Sequence, residues 1–381
     1  MSQRAWPALR LLLPALVLGA APLRAATIPV DDGKWDLQGP GVSVGTHDGR
    51  AVINVETGVA FRRDVSFQDG TISFDVQVTR RRSFVYLWFR MADDRETEEF
   101  YLRPHKSGLP DALQYAPVFQ GHSQWQLHHG PGGTAAVEFN PGAWTRVRVV
   151  ARGTQAALFL GDGPQPALLV PRLARAPRAG YIALRASTPP GTPGSGPVAR
   201  FANVRVEPDV ADFAFPPAPA AAPAPGVVTA WAVSRAWAPR EGEDLALPAA
   251  DSVAPFTAVR AEPSGLVQLH RSVALPEKSR AGAAVARVRV RAAQAGLRAF
   301  DLGFSDDAAV FVNGKPLFRG EGSYSYDQPR REGLIGYDQA RVFLPLGEGD
   351  NELSVVVQDG FGGWGLMGRF PDPSGLVVDA Q

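Results

Sequence analysis

The sequence predicts an all-β protein, two antiparallel β-sandwich (jelly-roll) domains joined by a Pro/Ala-rich linker. Three observations predict it. Apolar residues recur at every second position in many short runs, as they do when a strand sends successive side chains to opposite faces. Gly- and Pro-rich stretches punctuate those runs, with 40 Gly and 34 Pro in 381 residues. Long stretches of helical periodicity are missing.

Residues 1–26 read as a secretory signal peptide. Arg4 and Arg10 precede an apolar run from Leu11 to Ala21, and the small residues Ala25 and Ala26 follow. The run is too short and too Pro-interrupted to span a bilayer, and no later segment approaches the ~20 apolar residues a membrane helix requires. Export to the periplasm or the extracellular space is the expectation, without membrane insertion. The chain has no cysteine, which excludes disulfides, zinc–thiolate sites, iron–sulfur clusters and cysteine nucleophiles. A formal net charge of +1 gives no basis for a nucleic-acid partner.

Strand follows strand over a first domain, 27–208. GTISFDVQVT (70–79) alternates Ile72, Phe74, Val76 and Val78 against Ser73, Asp75, Gln77 and Thr79. WTRVRVVA (144–151) and AALFLGDG (156–163) form a hairpin pair around Gly153, and GYIALRAS (180–187) and VARFANVRVEP (198–208) close the domain. A linker occupies 209–226. Its FPPAPAAAPAPG stretch (215–226) suits polyproline II and would reach about 37 Å at ~3.1 Å per residue, a semi-rigid spacer.

The second domain, 227–381, opens on VVTAWAVSRAW (227–237) and continues through AAVARVRVRA (283–292). In AAVFVNGKPLFRG (308–320), Asn313-Gly314 between two apolar runs is a type I′ hairpin turn, because both central residues need positive φ. ARVFLPLGEGDNELSVVVQDG (340–360) supplies two more strands.

EEFYLRPHKSG (98–108) carries the sharpest functional signal. Phe100, Leu102 and Pro104 fall on one side, and Glu99, Tyr101, Arg103 and His105 on the other. The preceding SFVYLWFR (83–90) sets Tyr86, Trp88 and Arg90 against Val85, Leu87 and Phe89. Antiparallel pairing would bury the two apolar sides together and unite the polar ones. The following 106–130 stretch adds Tyr115, Phe119 and Trp125 with Gln114, Gln126 and three histidines. Aromatic rings cover the apolar face of a pyranose, and a few well-placed polar groups bond its hydroxyls. The plain alternative is that Tyr86 and Trp88 fill a core and Arg103 pairs with Glu99 on the surface.

Other candidates carry less. His122, His128 and His129 raise a metal reading, but adjacent His128 and His129 point apart on a strand and no metal is assigned. No Gly-x-Ser-x-Gly elbow is present. Phe361 and Trp364 among the glycines of QDGFGGWGLMGRF (358–370) either meet a ligand or plug the sandwich end. No cofactor is expected. Calcium is left open at Asp306 and Asp307, although two acids are fewer than its six to eight oxygens.

The strand order GTISFDVQVT, FVYLWFR, FYLRPH, WTRVRVVARGTQAALFLGD, FANVRV resembles the concanavalin A-like jelly roll, over roughly residues 35–208. Within that group it is most similar to LamG-like and 3-keto-disaccharide hydrolase-type domains. FSDDAAVFVNGKPLFRG with LPLGEGDNELSVVVQDGFGGWGL is similar to galactose-binding-like domains, over about 227–381. Both resemblances imply carbohydrate, recognised by the second domain and recognised or processed by the first. The Glu-x-Asp-x-x-Glu strand of laminarinase-type enzymes is not matched by DDRETEEF (93–100). Retaining hydrolysis needs carboxyl groups ~5–5.5 Å apart, whereas Glu96 and Glu98 at i, i+2 have Cα atoms ~6.6–6.8 Å apart.

The leading expectation is therefore carbohydrate binding across Tyr86, Trp88, Arg90, Tyr101, Arg103, His105, Tyr115 and Trp125. The first alternative is an enzyme acting on glycosides, by hydrolysis or by a lyase route through a 3-keto sugar, with Glu98, Glu99 and His105 as acid/base candidates. The second is a structural or protein-binding module.

Overall fold

The computed structural model describes residues 26–207, 213–218, 222–239, 245–325 and 332–380. Residues 1–25, the bulk of the predicted signal peptide, lie outside the described residues. Antiparallel strands dominate what is described, as the alternating patterns predict. Among the described residues no helix is long and apolar enough to cross a membrane.

The first unit is two sheets face to face. One runs, edge to edge, through Leu168–Val170, Gln155–Leu160, Trp144–Arg152, Gly70–Val78, Ala199–Glu207, Arg50–Val55 and Val42–His47. The other runs through His122–Ser123, Leu113–Phe119, Glu96–Leu102, Phe84–Asp93, Gly180–Ser187, Gly58–Phe67 and Asp36–Gln38. Ile72, Phe74, Val76 and Val78 from the first sheet meet Val85, Leu87, Phe89, Phe100 and Leu102 from the second in one buried core. The dry side of the EEFYLRPHKSG strand is thus where its alternation puts it. The expected hairpin around Gly153 is present, with Arg152 opposite Gln155 and Gly153 at φ +56°.

In the second unit, Ala283–Ala292 lies between Ala230–Val233 and Gly349–Gln358, and Asp307–Val312 and Lys315–Glu321 extend that sheet. The opposing sheet orders Val267–Gln268, Gly365–Arg369, Gly296–Ser305 and Ala340–Leu346. Asn313 (φ +50°) and Gly314 (φ +75°) both adopt the left-handed conformation that a type I′ turn demands. Val312 then pairs with Lys315 across it. Trp364 is fully buried in the second core, and its Nε1 donates to the Val357 carbonyl at 3.1 Å. It plugs the sandwich; its neighbour Phe361 is 61% exposed.

The stretch read as a free spacer is partly docked. The rings of Phe213 and Phe215 lie edge to face at 4.8 Å, and Phe213 meets Phe159 of the first unit at 5.2 Å. Gln155 Nε2 donates to the Pro216 carbonyl at 2.9 Å. Two aromatic rings within a Pro/Ala-biased segment find an apolar seat, and their burial outweighs the extended preference of the prolines. The two sandwiches touch each other directly, with Gln120 Nε2 of the first donating to the His270 carbonyl of the second at 2.6 Å.

Trp364→Ala removes a fully buried indole from the second core, and a loss of roughly 3–5 kcal/mol in unfolding free energy is expected. Urea unfolding monitored by far-UV circular dichroism measures it. A loss under ~1 kcal/mol would contradict the core placement.

Candidate functional site

The outer face of the sheet containing Glu96–Leu102 assembles from four strands. Register sets Tyr86 opposite Tyr101 and Trp88 opposite Glu99. Arg185 stands opposite Tyr86, and Tyr101 opposite Gln114. Directly opposed side chains on one sheet face approach to about 5 Å, so these residues form a continuous surface. The Arg185 guanidinium lies 4.4 Å from the Tyr86 ring centroid and 5.2 Å from that of Trp88. Tyr86, Trp88 and Arg185 are only partly buried.

Beneath them lies a buried polar layer. Trp88 Nε1 donates to Glu99 Oε2 at 2.6 Å, and Ser123 Oγ donates to Glu99 Oε1 at 2.7 Å. Tyr101 OH donates to Gln114 Oε1 at 2.6 Å, and Arg103 Nη2 donates to the same oxygen at 2.7 Å and to Tyr101 OH. Arg103 Nη1 donates to the carboxylate and the carbonyl of Asp111, at 2.9 and 2.7 Å. Gln114 Nε2 in turn donates to the carbonyls of Trp125 and His128, both at 2.6 Å. Burial pushes the Glu99 carboxyl up from its ordinary value against the pull of Ser123, Arg185, Trp88 and Arg103.

Several expected site residues therefore change role. Tyr101 and Arg103 are 3% and 4% exposed, with their polar atoms already engaged. They brace the surface from below and do not present donors to a ligand. Glu98 and Tyr115 are on the opposite side of the sheet, facing the core. Tyr115 OH donates to Glu98 Oε2 at 2.7 Å, and Glu98 Oε1 takes the Arg175 backbone N–H. Consecutive residues of a strand point apart, so Glu98 and Glu99 cannot act on one bond from the same face.

Arg90 also leaves the expected face, because of a bulge that alternation cannot reveal. Pairing with the neighbouring strand breaks register after Phe89, and Arg90 sits at φ +54°. Its guanidinium donates to the Gln68 carbonyl at 2.6 Å and to Asp69 Oδ1 at 2.8 Å. Gly180 makes room for the bulge, since a Cβ there would stand 2.3 Å from the Met91 carbonyl oxygen. Past the bulge, Met91 rejoins Trp88, Phe61 and Tyr181 in an outer-face cluster.

His105 lies beyond the strand, which ends at Leu102, in a 3-10 turn over Pro104–Lys106 that breaks the expected alternation; it is edge-on to Phe84 with ring centroids 5.2 Å apart. Its Nδ1 is 3.0 Å from the Ser83 carbonyl. A carbonyl only accepts, so Nδ1 carries the proton. Burial lowers the His105 pKa to about 4, against the Ser83 bond.

Trp125 closes the other end and meets the second unit. Its ring lies 5.8 Å from that of Tyr324 and 6.1 Å from that of Phe361, both tilted edgewise. Tyr324 and Arg185 were not among the residues the sequence singled out, whereas Phe361 was, as one that either meets a ligand or plugs the sandwich end, and it stands exposed beside Trp125. Arg185 had a signal, since Tyr181, Ala183 and Arg185 alternate against Ile182 and Leu184. Tyr324 had none, because its place beside Trp125 depends on how the two sandwiches dock.

The three sequence-flagged histidines disperse. His128 Nε2 lies 3.1 Å from Gln268 Oε1, His129 Nε2 lies 2.6 Å from the Ile335 carbonyl, and His122 stacks on His270. At the calcium candidates, Asp306 takes the backbone N–H of Phe361, and Asp307 takes the Ser323 hydroxyl at 3.1 Å. Burial raises the Asp306 carboxyl to about 7. Two clefts lie away from the aromatic face. One of about 300 Å³ is lined by Glu96, Phe119, Arg175 and Arg271 among others, and one of about 400 Å³ by Arg287, Asn313 and Asp350 among others.

No protein-family model matches the chain, and no curated protein matches it. Solved structures similar to part of it include a carbohydrate-binding module from Bacillus subtilis, 12% identical, spanning 46% of this chain and 96% of that one, with a TM-score of 0.33. A Bacillus licheniformis β-glucanase is 9% identical over 49% of this chain and 99% of its own, with a TM-score of 0.38. The κ-carrageenase of Pseudoalteromonas carrageenovora, solved with an oligotetrasaccharide of κ-carrageenan, is 13% identical over 48% and 92%, with a TM-score of 0.33. Likenesses at these scores carry no argument about activity.

Acidification provides a test of the His105 environment. Its folded pKa of about 4 lies below the ordinary 6.5. Between those values the unfolded chain takes up a proton that the folded chain refuses, so stability is full above pH 6.5 and falls as pH drops towards 4. After discounting for solvent screening, a loss of about 1–2 kcal/mol is expected. His105→Asn, which keeps a donor for Ser83, is expected to flatten that part of the urea-unfolding pH profile. An unchanged slope would contradict the assignment.

Proposed function

We propose that the outer face formed by Tyr86, Trp88, Arg185 and Trp125 binds carbohydrate. The observation that carries the reading is a set of half-buried aromatic rings with one arginine threaded between them, held rigid by a saturated polar layer. Rings of this kind present flat apolar area at low entropic cost, and Arg185 adds hydroxyl-directed donors. Glu99 fixes the Trp88 indole through its N–H, and Gln114 fixes Trp125 through its carbonyl. Preorganisation of this sort lowers the ordering cost of binding.

A glycoside-processing activity, including one on 3-keto-glycosides, is the second reading, and one observation favours it. Glu99 is buried directly beneath Trp88, and its raised pKa favours the protonated form that a general acid needs. Against it, both Glu99 oxygens already accept hydrogen bonds from Trp88 and Ser123. Turnover of a keto-glycoside that disappears in Glu99→Gln, with saccharide affinity retained, would establish it.

For the binding reading, a glycan array selects the ligand and calorimetry on the mature chain measures it. Tyr86→Ala combined with Arg185→Ala is expected to weaken binding at least tenfold while the urea midpoint moves little. An array without any saccharide signal, or undiminished affinity in the double variant, would end the proposal.

A further inference from the structure

We infer that the seam between the two sandwiches holds a divalent transition metal, with zinc the best fit, on His122, His270 and Asp359. One ligand atom from each of the three lies within 4.8 Å of the others. The ligands come from both units: His122 from the outer hairpin of the first, His270 and Asp359 from the second.

The facing atoms of two of these groups are buried without a hydrogen bond. His270 and Asp359 are 1% and 2% exposed, yet His270 Nε2 and Asp359 Oδ2 both lack a hydrogen-bond partner. They are 3.3 Å apart without hydrogen-bond geometry between them. A buried carboxylate oxygen and a buried imidazole nitrogen left this way are costly, and unsatisfied groups of this kind call for an explanation. A shared cation between them supplies one. The His122 ring lies parallel to the His270 ring, 4.5 Å between centroids and 13° between planes. One of its ring nitrogens lies within 4.8 Å of the facing His270 and Asp359 atoms, and because imidazole lone pairs lie in the ring plane, His122 swings out of the stack to share a metal with His270.

The surroundings hold the ligands as metal sites do. With Nε2 on the metal, His270 Nδ1 carries the proton and donates to Gln124 Oε1, 3.4 Å away. The same amide donates to the His122 carbonyl at 2.7 Å. Gln120 Nε2 donates to the His270 carbonyl at 2.6 Å, and the Asp359 backbone N–H donates to the Gly282 carbonyl at 2.7 Å. Outer contacts that orient an imidazole through its second nitrogen are the usual companions of a metal ligand.

Two imidazoles and one carboxylate suit zinc, nickel or cobalt, whereas calcium and magnesium prefer all-oxygen sets. Metal–nitrogen distances near ~2.1 Å would require the three ligand atoms to close by roughly an ångström. His122 is only half-buried, so it can make that move and leaves a fourth position reachable by water. The metal would clamp one sandwich to the other.

Chelator-treated, mature two-domain protein is titrated with ZnCl2 by calorimetry, without saccharide, so the result does not depend on the aromatic face. One zinc per chain and a rise in melting temperature reversed by EDTA are expected. His122→Gln, at a half-exposed position, is expected to keep the fold by circular dichroism and to weaken zinc binding at least tenfold. Asp359→Asn is expected to weaken it a hundredfold or more. Cobalt in place of zinc should give visible d–d bands that His122→Gln removes. Absence of zinc, nickel and cobalt binding in the parent protein would overturn the inference. So would unchanged zinc affinity in His122→Gln, which places the metal elsewhere whether or not Asp359→Asn folds.

Discussion

The side chain of Gln114 is the fixed point on which the rest of this surface depends. Its oxygen receives Tyr101 and Arg103 from the adjacent strand, and its nitrogen reaches two carbonyls of the 120–130 loop. Gln114 is itself 1% exposed, so its amide has no water as an alternative partner. Each buried group left unmatched costs about 1–3 kcal/mol. A single amide thus ties a strand, an arginine and a long loop into one arrangement, and the cost of breaking it is shared by all of them.

That loop is also the junction between the sandwiches. Gln120 donates to the carbonyls of His270 and Val273 and accepts from the backbone N–H of Leu275. The Gln126 N–H donates to Gly362, and its side-chain oxygen takes the Ser305 hydroxyl. The glycines of QDGFGGWGLMGRF have their reason here. A Cβ on Gly362 would stand 2.5 Å from Gln126 Oε1 and 2.6 Å from Trp125 Nε1, and one on Gly363 would stand 2.9 Å from Leu127. What approaches those glycines closely is the first sandwich itself.

Much of this was legible from alternation, and the failures have physical causes. Period-two patterning located the dry side of the strand as far as Leu102 and the strand 283–292, and Asn313-Gly314 announced its own turn. Alternation assigns a face but says nothing about depth. Tyr101 and Arg103 are on the expected face, yet the loop above and the neighbouring unit cover them. Arg90 escaped because a bulge shifts the parity of every residue beyond it. His270 and Asp359 offered nothing by themselves: their relation to His122 arises only when two domains, distant in the chain, come together.

The same network constrains how the two proposed sites relate. Ser123 braces Glu99 under Trp88, while Gln124, the next residue, holds His270 and the His122 carbonyl. Side chains at successive positions here serve opposite neighbours, one the aromatic face and the other the inter-domain seam. Trp125 follows, its carbonyl held by Gln114 and its ring set against Tyr324 and Phe361. Three consecutive residues therefore join sheet, seam and aromatic rim without a flexible element between them. Any shift of the second sandwich against the first must displace the Trp125 ring or break buried hydrogen bonds. Docking of the two units is accordingly part of the geometry of the aromatic face, and the second sandwich acts on it as a wall.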